Sequence, residues 1–282
     1  MGTDHRVVWG LGRTTGFASQ TDPRFSYWLH VPRCYRIAAA TAAIRPMLVA
    51  VHGTDRNVPM LRSLFEEFSE RHGVLILAPH FPAGLGNPED VDAYKYLRAF
   101  GVNYDEALLA MVQEVAARYG CDARQFLLFG FSGGAHFAHR FWYLYPERLR
   151  ALAVAAPGSV TLPTQEEEWW VGIKGVEERF GRKVDLAAMS AVPTLFTVGA
   201  NDIAPDLITH QEGSVYWMKG ANAAGRTRVD RLRKLRDALR AKNIPVAYRE
   251  LPGVAHEYPP VVDAAVEFFE SIVTERAVSQ AT

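Results

Sequence analysis

The chain has 282 residues, of which 49% are hydrophobic and 22% are charged, a composition that excludes a largely disordered protein. Its 31 basic and 31 acidic residues cancel, so no whole-domain positive field for nucleic acid or an anionic membrane is predicted. No apolar run reaches the ~18–20 residues of a membrane span, and no signal-like apolar segment follows the first residues. Two cysteines, Cys34 and Cys121, are too few for a disulfide framework or zinc ribbon. We therefore expect a cytoplasmic protein.

Short apolar runs alternate with helical patterns along most of the chain. Strands are predicted, in chain order, at residues 6–11, 25–31, 47–51, 74–78, 126–129, 149–155, 194–198 and 246–251. Helices are predicted at residues 59–72, 104–119, 133–145, 226–242 and 260–273. This alternation is typical of βαβ units and predicts an α/β fold with a mostly parallel central sheet flanked by helices.

The alternation stops between residues 157 and 192, where three consecutive glutamates precede Trp169 and Trp170. No linker or internal repeat divides the rest of the sequence. We therefore expect a single domain spanning residues 1–282, with a small lid or cap inserted at about residues 158–191. Glycines within the insertion would allow it to bend above the predicted site.

Residues 130–134 read Gly-Phe-Ser-Gly-Gly and match the pattern G-x-S-x-G between a predicted strand and a predicted helix. A nucleophile elbow needs this setting, because a tight turn must lift the serine hydroxyl clear of the sheet. The following helix would place backbone N–H groups beside an attacked carbonyl. Ser132 is therefore the predicted nucleophile, and a simple helix cap is the structural alternative.

An acid and a histidine follow later strands in the order that serine hydrolysis requires. Asp202 comes directly after the strand at residues 194–198, and His256 follows the last predicted strand. Loops at the carboxyl ends of parallel strands lie at one edge of the sheet, which would bring both side chains to Ser132. Asp206 is the competing acid, although it could instead cap a helix.

This arrangement resembles the α/β-hydrolase superfamily over roughly residues 27–273. The compact core, the His52-Gly53-Thr54 loop and the small insertion resemble the esterases grouped with poly(3-hydroxybutyrate) depolymerases and feruloyl esterases. The resemblance implies an α/β-hydrolase fold. It also implies that the N–H groups of Thr54 and Gly133 form an oxyanion hole. His52 is expected to fix this loop through hydrogen bonds.

The predicted function is hydrolysis of a carboxylic ester by Ser132, His256 and Asp202 through an acyl-enzyme intermediate. No cofactor or metal is implied, and the expected partner is a small-molecule ester. An amidase or peptidase with the same three residues stays open, as does a non-catalytic binding protein of the same fold. Oligomeric state and acyl-chain preference are also open.

Aromatic side chains predict an apolar pocket for the substrate. Trp169, Trp170 and Phe180 lie in the insertion, Tyr216 and Trp217 follow the acid loop, and Phe81 lies in an earlier loop. These three segments are expected to leave the same edge of the sheet, so the rings could line one cavity. Core packing is the alternative for each of them. The candidate pocket residues are His52, Phe81, Trp169, Trp170 and Trp217.

Two other features are interpreted as structural. His136 and His139 are three residues apart on a predicted helix, but no carboxylate or cysteine accompanies them at ligand spacing. We therefore predict packing rather than a metal site. The basic segment 226–242 contains Asp230, Asp237 and an apolar stripe, which predicts a surface helix rather than a nucleic-acid site.

Overall fold

The structure, a computed structural model, describes residues 10–36 and 45–279. Its strands are β1 (Gly12–Arg13), β2 (Phe17–Ala18), β3 (Ser26–Val31), β4 (Met47–Val51), β5 (Leu75–His80), β6 (Arg98–Ala99), β7 (Val102–Asn103), β8 (Phe126–Phe131), β9 (Leu149–Ala155), β10 (Thr194–Gly199) and β11 (Ala247–Leu251). Its α-helices are α1 (Val58–Leu64), α2 (Glu66–His72), α3 (Tyr104–Tyr119), α4 (Gly133–Leu144), α5 (Val176–Phe180), α6 (Leu186–Ser190), α7 (Arg228–Arg240) and α8 (Tyr258–Ser279). Short 3-10 helices occupy Arg33–Arg36, Ala93–Tyr96 and Pro146–Arg148.

Nine of the strands form one sheet in the order β1-β3-β5-β4-β8-β9-β10-β11, with β2 beside β3. The pairs from β5 to β11 are parallel, whereas β1, β2 and β5 pair antiparallel with β3. Every residue of β4 and β8 is buried, as expected for central strands covered by helices on both faces. The predicted α/β architecture with a mostly parallel sheet is confirmed.

Several predicted elements agree with the observed bounds. The strands at 47–51 and 149–155 and the helix at 104–119 are confirmed as β4, β9 and α3. The predicted helix at 59–72 is two helices, because the chain turns at Phe65 (φ −101°, ψ 5°) while its ring is buried against Phe129. The predicted strand at 6–11 lies almost entirely outside the described residues.

The segment predicted as a lid lies between β9 and β10 and contains only the short helices α5 and α6. Its apolar side chains Val160, Ile173 and Phe180 belong to the same buried cluster as the sheet. Most of this segment is therefore anchored to the core by buried apolar surface. Within residues 10–36 and 45–279, no helix has the length and apolar character needed to cross a bilayer.

All twelve residues of α4, which follows the central strand β8, are buried. Burial on every side means that its polar side chains, His136, His139 and Arg140, must find hydrogen-bond partners inside the protein. The helix thus begins at the predicted nucleophile and carries polar groups into the core behind it.

Candidate active site

Ser132 occupies a strained turn between β8 and α4, with φ 52° and ψ −114°. A non-glycine residue in this region costs ~1–3 kcal/mol and persists only where the surroundings enforce it. A Cβ on Gly130 would lie 2.1 Å from the carbonyl oxygen of Gly134, and one on Gly134 would lie 2.1 Å from that of Val51. Only glycine fits at these two positions, so the Gly-x-Ser-x-Gly spacing is a steric requirement of the turn.

The structure brings His256 and Asp202 to Ser132. His256 Nε2 lies 3.0 Å from Ser132 Oγ, and His256 Nδ1 lies 2.6 Å from Asp202 Oδ2. A carboxylate can only accept, so Nδ1 carries the proton and Nε2 is left to accept from the serine hydroxyl. The alternative acid, Asp206, is exposed and no helix begins at Leu207.

Arg228 is a further residue of this cluster that the sequence reasoning missed. Its Nη1 donates to Asp202 Oδ1 at 2.9 Å, so both carboxylate oxygens of Asp202 are engaged. Asp202 is 2% exposed and Arg228 5%, which makes this a buried ion pair. A charge-assisted bond of this kind fixes the carboxylate orientation toward the imidazole. The basic helix carried no sequence signal that separated Arg228 from its neighbours.

Two segments meet beside Ser132, and within the described part of the chain each carries a backbone N–H without a backbone acceptor. Gly133 is the first residue of α4, so its N–H has no acceptor within the helix. Thr54 follows β4, and among the described residues its amide meets no backbone acceptor. Thr54 Oγ1 lies 3.0 Å from the position that a Cβ on Gly133 would take, which places the loop against the start of the helix.

His52 fixes the peptide that carries the Thr54 amide. The Phe81 N–H donates to His52 Nε2 at 3.1 Å, so the ring proton is on Nδ1 and donates to the Gly53 carbonyl at 2.7 Å. The carbonyl and N–H of a trans peptide point in opposite directions, so the Thr54 N–H is directed away from His52. Burial lowers the pKa of His52 to about 3, which keeps the ring neutral.

A cavity of about 840 Å³ opens above Ser132, and of the aromatic side chains considered from the sequence only Tyr216 lines it. The walls come mainly from two segments that contain neither α-helix nor strand, 89–96 and 207–216, with apolar contributions such as Tyr96, Ile208 and Tyr216. The buried side chain of Lys95 also lines the cavity. Its Nζ lies 2.5 Å from Asp92, and desolvation lowers the pKa of Lys95 although Asp92 opposes that shift.

None of the five predicted pocket residues lines this cavity. His52 and Phe81 are completely buried, whereas Trp217 is 38% exposed to solvent and is not part of the cavity wall. Trp169 packs edge-on against the Phe180 ring within the insertion. Of the predicted lid, only Gly158 reaches the cavity. The bulky rings of the insertion are used in packing, so the expected position of the lid above Ser132 does not match the structure.

Trp170 supports the cavity wall from behind. Its ring packs against Tyr96 with a centroid distance of 5.6 Å, and its Nε1 donates to the Tyr216 carbonyl at 3.0 Å. Tyr96 and Tyr216 stack at 3.9 Å. The tryptophan therefore holds the two segments of the wall together without touching the cavity.

His136 and His139 each hold the chain that follows β9. The Ser159 N–H donates to His136 Nε2 at 2.9 Å, and the Thr161 N–H donates to His139 Nε2 at 3.0 Å. Burial lowers the pKa of His139 to about 3 and that of His136 well below its usual range. Among the described residues, no group of three or more metal-binding side chains is assembled.

Comparison with known proteins gives structural relatives only. No protein-family model matches the chain, and no curated protein sequence does. The chain is similar to LpqC, a poly(3-hydroxybutyrate) depolymerase from Bordetella parapertussis, with a TM-score of 0.72, 21% identity and coverage of 94% of this chain and 93% of that one. Poly(aspartic acid) hydrolase-1 from Sphingomonas sp. KT-1 gives a TM-score of 0.68 at 18% identity, covering 91% of this chain and 98% of that one.

An S-formylglutathione hydrolase from Agrobacterium tumefaciens gives a TM-score of 0.61 at 15% identity, covering 92% of this chain and 93% of that one. At such identities the likeness concerns the fold. The sheet order and the strained serine turn agree with this likeness. The chain therefore has the α/β-hydrolase fold.

Proposed function

We propose that the protein is a serine hydrolase that cleaves carboxylic esters. The observation that carries this proposal is the continuous hydrogen-bonded series from Ser132 Oγ to His256 Nε2 (3.0 Å) and from His256 Nδ1 to Asp202 Oδ2 (2.6 Å). The strained backbone of Ser132, at the start of a helix, supports the same conclusion. A serine that merely capped a helix would need neither the strain nor the histidine.

In the first half of the reaction, His256 Nε2 takes the proton of Ser132 as Oγ forms a bond to the carbonyl carbon. The carbonyl electron pair moves onto oxygen, where the N–H groups of Thr54 and Gly133 stabilise the negative charge. Asp202 holds the imidazolium in position. The intermediate then breaks its bond to the alcohol oxygen, which receives the proton from His256.

Water completes the cycle. His256 takes a proton from water as its oxygen bonds to the acyl carbon, and the second oxyanion forms in the same hole. The bond from the acyl carbon to Ser132 Oγ then breaks. The serine oxygen recovers its proton from His256, and the carboxylic acid leaves.

The cavity supports a substrate with an apolar or aromatic group. Its volume of about 840 Å³ is in the range of sites for small organic ligands. The rings of Tyr96 and Tyr216 line the same cavity as Ser132, and Ile208 adds an aliphatic side chain to its wall. Esters with a medium-length acyl chain or an aryl group should therefore be better substrates than acetates.

A fluorophosphonate probe tests the proposal directly, because it labels only an activated serine. We expect labelling of the wild-type protein and none of Ser132→Ala. Turnover of p-nitrophenyl esters and matching anilides separates the two enzyme classes: faster cleavage of the anilides would favour an amidase. Absence of both labelling and turnover would mean a non-catalytic protein with this fold.

A further inference from the structure

We propose that Tyr258 is a positioning residue that holds the oxyanion loop in its working orientation and ties it to the loop of His256. The inference rests on the proposed function, because it concerns how the hole beside Ser132 is maintained. Nothing in the sequence pattern distinguishes Tyr258, which begins α8 two residues after His256.

The phenol oxygen of Tyr258 has two partners in the oxyanion loop. The Gly53 N–H donates to it at 2.8 Å, and its own proton is donated to Asp55 Oδ1 at 2.8 Å. A carboxylate has no proton to give, so the direction of both bonds is fixed. A Cβ on Gly53 would lie 2.7 Å from this phenol oxygen, so the hydroxyl in its present position leaves no room for a side chain there.

The two ends of the Gly53 residue are therefore held from opposite sides. Its N–H is bound by Tyr258, while its carbonyl accepts from the His52 ring at 2.7 Å. This carbonyl belongs to the same rigid peptide as the Thr54 N–H. Rotation of that peptide would turn the Thr54 N–H away from the oxyanion and would break the bond from His52. The bond to Tyr258 holds the preceding peptide, between His52 and Gly53, and so fixes the chain from which the Thr54 peptide extends.

The ring of Tyr258 contacts the nucleophile turn as well. Its centroid lies 4.1 Å from that of Phe131, the residue before Ser132, and Phe131 in turn stacks on His256 at 4.6 Å. One side chain thus contacts the oxyanion loop and the nucleophile turn, and it follows the histidine in the chain. Burial, with Asp55 nearby, raises the pKa of the phenol, which keeps the donated proton in place at neutral and mildly basic pH.

Tyr258→Phe is the test, because it keeps the ring and removes only the hydroxyl. We expect kcat to fall by about 10- to 100-fold, as small misplacements in active sites do. KM should change by less than about twofold and the melting temperature little. The affinity for a trifluoromethyl ketone, whose adduct with serine carries an oxyanion, should weaken by the same factor as kcat.

Two further variants sharpen the result. Tyr248→Phe is the matched control, because Tyr248 also donates to a carboxylate, Glu250 Oε1 at 2.6 Å, but does not line the cavity. It should leave kcat unchanged. Asp55→Ala removes the acceptor of the phenol proton but keeps the phenol, so it should lower kcat less than Tyr258→Phe does. The double variant Asp55→Ala, Tyr258→Phe should have the same kcat as Tyr258→Phe alone.

The outcomes separate the two proposals. Wild-type protein that hydrolyses esters, with Tyr258→Phe retaining wild-type kcat, refutes the role of Tyr258 and leaves the proposed function standing. A rise in KM at unchanged kcat also refutes it, since the phenol would then be a substrate contact. Wild-type protein that neither reacts with a fluorophosphonate nor cleaves any ester refutes both proposals.

Discussion

Acid should destabilise this protein well above the pH at which its carboxylates become protonated, because it buries histidines in their neutral form. His139 is the clearest case. Its Nε2 accepts the Thr161 N–H at 3.0 Å, and its Nδ1 donates to the Ala135 carbonyl at 2.7 Å. Burial, assisted by the positive charge of Arg140, lowers its pKa to about 3. Protonating Nε2 would require the Thr161 bond to break.

The size of the effect follows from the two pKa values. In the unfolded chain a histidine has a pKa of about 6.5, so at pH 5 it is mostly protonated while native His139 is still neutral. The unfolded state therefore binds more protons between pH 6.5 and 3, and stability falls as the pH falls through this window. Linkage gives a loss of about 2 kcal/mol at pH 5 for each such histidine.

His52, with a pKa lowered to about 3, contributes a loss of the same size, giving a total of about 4 kcal/mol at pH 5. This is a large part of the ~5–15 kcal/mol that typically holds a domain folded. His136 and His210, whose pKa values are also lowered mainly by burial, act in the same direction.

Urea unfolding at several pH values from 7.5 to 5 measures this loss. His139→Gln is the informative variant, because an amide can accept from Thr161 and donate to Ala135 without titrating. Below pH 6 its stability should fall less steeply than that of the wild type, by up to about 1.4 kcal/mol per pH unit. Ser132→Ala, which removes no titratable group, should keep the wild-type slope. A wild-type stability that is flat from pH 7.5 to 5, or equal slopes for wild type and His139→Gln, would refute the reasoning.

Four substitutions test the site. Ser132→Ala should lower kcat by at least about 10³-fold while the melting temperature is kept, and substantial residual turnover would contradict its role. Asp202→Asn should lower kcat by about 10²- to 10⁴-fold and Asp206→Asn should not; the reverse pattern in steady-state assays would reassign the acid. Trp170→Ala should cost about 3–5 kcal/mol in urea unfolding and raise KM for aryl esters, because Tyr216 loses its support. An unchanged melting curve and KM would contradict that role.

The residues brought together at the site were predictable because each has a local signal. Ser132 lies in a glycine-rich turn between an apolar strand and a helix, a pattern dictated by the close approach of backbone atoms on both sides. Asp202 and His256 each follow a strand. Since the strands are parallel, their carboxyl ends share one edge, and topology alone brings these side chains close.

The cavity walls were not predictable in the same way. Segments 89–96 and 207–216 have no apolar periodicity, so the direction of each side chain depends on how loops and one short 3-10 helix fold locally. Trp169 and Trp170 suggested a pocket because of their size, yet large rings contribute most to stability where they are buried. The sequence could identify these rings but could not decide which side of the wall they occupy.

Polar side chains from neighbouring elements hold the loops that follow the strands of the sheet. The sheet fixes where each strand ends, but the loops beyond these ends are held by His52, His139, Arg228 and Tyr258. Each of these residues binds a group at least 22 positions away in the chain, so no local pattern marks the pair. Three of the bound groups lie just beyond a strand end: the N–H groups of Gly53 and Phe81 and the carboxylate of Asp202. Each would be costly to bury without a partner. The loops at this edge of the sheet therefore need buried polar partners as well as reactive groups. Tyr258→Phe tests one such partner through kcat, and His139→Gln tests another through the free energy of unfolding.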